Sequence, residues 1–111
     1  MAKRGSRPWG LARVHGRSML PTLRDGDVLV VRHGATPAEG KVAVVRLPDG
    51  TVAVKRIAFR HHHGWWVSRD NPREGVDSAL VGEIPEVDVL AIVLVRLWPR
   101  PARLRRTTNP A

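Results

Sequence analysis

No cysteine occurs among the 111 residues. Disulfide cross-links and thiolate metal sites are therefore excluded, and the redox compartment stays open. Long apolar runs are also missing. The longest, residues 87–98, is interrupted by Asp88 and Arg96 and falls well short of the roughly 20 residues that a membrane-crossing helix needs; it reads as a buried strand. The N-terminus is basic at Lys3, Arg4 and Arg7, but the residues that follow mix Trp9 and Leu11 with Gly10 and Arg13, so the apolar block of a signal peptide is absent. A cytoplasmic location is expected. Acidic residues are scarce, 10 against 19 Lys and Arg, for a formal net charge of +9.

Such a charge suits phosphate-rich partners, but its distribution argues against specific nucleic-acid recognition. Much of the excess sits near the ends, in Arg13 and Arg17 and again in Arg96, Arg100, Arg103, Arg105 and Arg106. No aromatic-interleaved stacking platform, helix-turn-helix pattern or zinc-finger spacing accompanies it. The length supports one domain with a modest core. Residues 1–12 read as a flexible basic arm, 13–98 as the folded domain and 99–111 as a flexible basic tail.

Within the domain the pattern is that of an all-β protein. Residues 27–32 are rich in β-branched side chains after the turn-like Asp25-Gly26, and residues 41–47 and 51–59 alternate on either side of Pro48-Asp49-Gly50, a strong hairpin signal. Residues 65–68 form a short strand, 69–79 a polar loop and 87–97 a final long strand. The one helix start is Ser18, where Pro21 fits a first turn and Arg24-Asp25-Gly26 ends it quickly. A serine in that position is exposed, and free backbone N–H groups beside it can face a developing oxyanion.

Ser18 and Lys55 together suggest a serine–lysine hydrolase. A hydroxyl needs a neighbouring base to become a nucleophile, and a lysine serves only when its amine is neutral. In a strand, Lys55 shares a face with Ala53, Ile57 and Phe59, an apolar row that disfavours the ammonium form. Lowering a lysine from about 10.4 to roughly 7–8 corresponds to about 3–5 kcal/mol, attainable for a buried amine. Each residue alone has a plainer reading: Ser18 as an N-cap, Lys55 as a strand lysine snorkelling to water.

The order of the surrounding boxes changes that balance. Ser18-Met19-Leu20-Pro21-Thr22-Leu23, then Gly26-Asp27-Val28, then Lys55-Arg56-Ile57, then Asp70-Asn71 with Val76-Asp77-Ser78 and Gly82 resemble the motifs of the type I signal peptidase family of serine–lysine proteases. The resemblance implies an antiparallel, coiled, barrel-like β-domain with a short helical turn at the nucleophile. It further implies cleavage after small residues of an extended substrate, with no metal or other cofactor. Within that family the chain is most similar to the nickel-type superoxide dismutase maturation proteases, which implies that its partner is the N-terminal propeptide of that enzyme.

On this reading Ser18 is the nucleophile, its backbone N–H an oxyanion donor, and Lys55 the general base. Met19 and Leu20 line or support the cleft. Pro21, Asp27, Arg56, Asp70, Asn71, Asp77 and Ser78 are structural supports, with Arg56 the remaining partner for Asp77 because Ala79 stands where the family has an arginine. Gly75 replaces a serine that helps hold the lysine, which leaves Ser78, a water or a carbonyl to orient Lys55. Gly16 occupies the position of a second oxyanion hydroxyl, so that donor is unassigned. The consecutive His61, His62 and His63 cannot all point one way in a strand and read as an exposed hairpin tip, not a nickel site. Trp65 and Trp66 should pack on opposite strand faces.

Two alternatives stand beside the maturation protease. One is a general signal peptidase-like enzyme that contacts the membrane peripherally through its basic arms. The other is a non-catalytic β-module binding nucleic acid or a partner protein, including a repressor-like relative of the self-cleaving serine–lysine fold. The self-cleaving form would need a DNA-binding domain for which the chain is short.

Overall fold

A computed structural model describes residues 8–73, 82–104 and 106. Among these residues eight strands make one curled antiparallel sheet: β1 (Trp9–Arg13), β2 (Val28–His33), β3 (Val42–Arg46), β4 (Val52–His61), β5 (Gly64–Ser68), β6 (Ile84–Pro85), β7 (Val89–Trp98) and β8 (Ala102–Arg103). Their order across the sheet is β1-β2-β7-β3-β4-β5-β6, with β8 paired to β7. Among the described residues there is no α-helix, only a 3-10 turn at Glu86–Asp88.

The middle strands explain the curl. Along β3 and β7 both faces are apolar, so each strand feeds two cores. Val42, Ala91 and Val93 join Val14, Met19, Leu23, Leu29 and Val31 on one side. Ala43, Val45 and Ile92 join Leu47, Ile57, Trp65, Val67 and Ile84 on the other. To cover both faces, the sheet must bend one way at β1 and β2 and the other way at β5 and β6.

The β3–β4 hairpin forms where Pro48-Asp49-Gly50 predicts it. Leu47 N–H donates to the Thr51 carbonyl at 2.8 Å, the Asp49 carboxylate accepts from Thr51 N–H at 2.8 Å, and Gly50 takes the positive φ of +89° that other residues resist. The triple histidine lies at the β4–β5 turn, with His62 and His63 exposed and His61 turned back so that its Nδ1 lies 3.5 Å from Glu83 Oε1. Trp65 is buried in the second core, while Trp66 stacks on Phe59 with centroids 5.8 Å apart.

Three expectations are corrected. Residues 9–12, expected in the arm, belong to the paired edge strand Trp9–Arg13: Trp9, Leu11 and Arg13 face outward while Ala12 packs on the first core. Ala102–Arg103 in the expected tail likewise pairs with Val95 and Arg96. The segment from Ser18 is a series of turns, not a helix. Leu20 N–H reaches Arg17 O and Leu23 N–H reaches Met19 O, but Pro21 has no N–H to offer and the chain reverses at Asp25 and Gly26.

Candidate active site

The turn bearing Ser18 is fastened at both ends. On its N-terminal side Val14 N–H donates to Asp27 O, Gly26 N–H to Val14 O, and Gly16 N–H to Asp25 Oδ1 at 2.7 Å. Asp27 is 4% exposed; its carboxylate accepts from Arg24 N–H at 2.9 Å and lies 3.8 Å from Arg96 Nη1, which also donates to Thr22 O at 3.1 Å. Met19, 1% exposed, and Leu23, fully buried, pin the turn into the first core.

A polar clamp ties this turn to β4. Arg56, on the strand position after Lys55, grips Asp70 with two bonds, Nη2 to Oδ2 at 2.7 Å and Nε to Oδ1 at 3.2 Å. Its Nη1 donates to Gly40 O at 2.9 Å. The same Asp70 carboxylate accepts the Thr22 hydroxyl at 2.5 Å. Asn71 then holds the serine turn directly: its backbone N–H donates to Ser18 O and its side-chain amide to Arg17 O, both at 2.8 Å. Charge-assisted, two-pronged bonding of this kind fixes position as well as distance.

Ser18 borders a cleft of 360 Å³ together with Ala12, Arg13, His15, Met19, Val54 and neighbouring β4 residues. Two strand margins open onto it. Among the described residues β1 is paired only with β2. The first residues of β4 are paired on one side with β3, and β5 joins only from Arg56 onward. Lys55 follows the cleft-lining Ala53 and Val54, is 3% exposed and stands across from Ala43 in the pairing register, in the apolar row that the sequence anticipates. It is not itself among the residues that line the opening.

Of the other expected site residues, Met19 lines the cleft and Leu20 does not; Pro21 is exposed in the turn. Asp27, Arg56, Asp70 and Asn71 are braces. Among the described residues the carboxylate that grips Arg56 is Asp70. Asp77, Ser78, Gly75 and Ala79 lie outside the described residues. Thr22 and Arg96 escaped the sequence reading; Thr22 lies in the same run as Ser18, but nothing in its spacing announces an aspartate 48 positions away. Among the described residues no group of three or more His, Cys, Asp or Glu could hold a metal ion, and no helix is long and apolar enough to cross a membrane.

Comparison with known proteins redirects the family assignment. The family model described as Peptidase S24-like matches residues 3–94. The chain is 47% identical over 91 residues to the LexA repressor of Cupriavidus taiwanensis, covering 81% of this chain and 41% of that protein. It is 34% identical over 92 residues to the LexA repressor of Ralstonia nicotianae, covering 82% and 42%. The chain thus spans about two fifths of the length of these relatives. The resemblance to type I signal peptidases described the serine–lysine boxes and the β-architecture, but the matching model is a different one: the chain belongs to the Peptidase S24-like family.

Proposed function

We propose that this protein is a serine–lysine endopeptidase that cuts an extended peptide laid in the cleft between β1 and the start of β4. The observation that carries the reading is a lysine buried to 3% exposure on a strand whose next residue is clamped, through Asp70 and Asn71, to the turn that holds a cleft-lining serine. Burial disfavours the charged form of an amine, the condition a lysine base requires.

Ser18 Oγ attacks the scissile carbonyl carbon as Lys55 Nζ takes its proton. The oxyanion accepts from Ser18 N–H. Collapse breaks the C–N bond, and the leaving amine takes the proton back from Lys55. Water, deprotonated by Lys55 Nζ, then attacks the acyl carbon, the ester C–O bond breaks, and Lys55 returns the proton to Ser18 Oγ. The substrate backbone pairs with the open margins of β1 and β4 by strand addition, with alternate side chains entering the apolar cleft.

The substrate we propose is the N-terminal propeptide of nickel superoxide dismutase, supported by the likeness of the ordered boxes to its maturation proteases. A second reading, favoured by relatives named LexA repressor, is Ser18-dependent cleavage within the protein's own chain. Incubating the purified protein with and without the dismutase precursor, followed by mass spectrometry, separates the two. Processing of the precursor that disappears in Ser18→Ala and Lys55→Met supports the first, and a Ser18-dependent cut within the chain supports the second. No cleavage of either kind would overturn the assignment.

A further inference from the structure

We propose that the outer face of β1, β2, β7 and β8 is a docking surface for an anionic lipid bilayer. The pairing register assigns this face. Trp9 stands opposite Arg32, Leu11 opposite Val30 and Arg13 opposite Val28; Val28 and Val30 continue to Trp98 and Val95 on β7, and Val95 to Arg103 on β8. The intervening residues Ala12, Leu29 and Val31 point the other way, into the first core.

What remains outside is apolar and unusually open. Leu11 is 68% exposed, Trp98 58% and Trp9 53%, although β-sheet faces of this composition are ordinarily covered. The charge on these strands has one sign. β1, β2, β7 and β8 contain no Asp or Glu, and their charged residues are Arg13, Arg32, Arg96 and Arg103. Arg96 is turned to Thr22 and Asp27; the other three are exposed, with the Arg32 guanidinium 5.1 Å from the Trp9 ring centroid.

That combination selects the occupant. A second copy would bring the same arginines against these. Nucleic acid would satisfy the arginines but leave Leu11, Val28, Val30 and Val95 against a polar, charged backbone. A bilayer surface with anionic headgroups takes both: indole rings settle at the interface, aliphatic side chains enter the acyl boundary, and arginines reach phosphate while their stems stay apolar. Arg13 belongs to this face and also lines the cleft, so a docked molecule would hold its cleft at the membrane surface.

The test is co-sedimentation of the full chain with phosphatidylcholine vesicles with and without phosphatidylglycerol. Binding to the anionic vesicles alone is expected, weakened as salt rises. Trp9→Ser with Leu11→Ser should weaken it about tenfold, and so should the exposed charge reversal Arg32→Glu. If circular dichroism shows the double variant unfolded, Arg32→Glu carries the comparison. Absence of vesicle binding, equal binding by the variants, or a dimer or an oligonucleotide complex lost in the variants without vesicle binding would overturn the proposal.

Discussion

Asp70 receives the guanidinium of Arg56 and the hydroxyl of Thr22 on one carboxylate, and so ties the serine turn to the lysine strand. Its loss would remove two charge-assisted hydrogen bonds from the Arg56 side chain, which is 7% exposed. Asp70→Ala is expected to destabilise the protein by about 3–5 kcal/mol, read from urea denaturation. Thr22→Val should cost about 1 kcal/mol and Thr22→Ser almost nothing. At the chemistry itself, Ser18→Ala and Lys55→Met should each lower peptide cleavage by roughly 10⁴-fold or more with little change in melting temperature, measured on a fluorogenic peptide. At this scale the sequence was legible where the family is written in residue type. A serine and a lysine set in ordered boxes stand out from the chain, whereas the carboxylate that meets Arg56 depends on how a loop folds back. Asp70 is not distinguished for that role by its neighbours, and the expected Asp77 lies outside the described residues.

Among the elements, the β3–β4 hairpin is the best specified by its own residues. The Thr51 backbone N–H, and after it the Thr51 side chain, hold the Asp49 carboxyl below its ordinary value of 3.8. A carboxylate favoured in the folded state adds stability above its unfolded pKa, and that contribution is lost as the pH falls through the folded one. Asp49→Ala should therefore lower the melting temperature at pH 7, with the difference from the parent protein vanishing once the pH drops well below 3.8; thermal melts across that range check it. The strands on either side of this turn were readable because alternation and turn chemistry agree. β1 was not: five residues containing Gly10 and ending in an arginine carry little periodicity, and they become a strand because β2 presents an unpaired margin for them. The serine turn misled in the opposite direction, since the local signals at Ser18 and Pro21 favour a helix start. Burial of Met19 and Leu23 and the hydrogen bonds from Asn71 prevail over that preference.

For the molecule as a whole, the two cores meet at β3 and β7, so damage to either should be felt across the sheet. Leu29→Ala, at a fully buried position of the first core, is expected to cost about 2–5 kcal/mol in chemical denaturation. Amide hydrogen exchange should then be slowest in β3 and β7, which have neighbours on both sides, and fastest in β1 and β6, which end the sheet. The cleft lies where β1 runs out and β4 has a margin with no strand beside it among the described residues. A polypeptide can therefore thread in by a local yielding of the rim, at a free-energy cost far below that of opening the middle, and the proposed catalytic pair stays anchored while the entrance breathes.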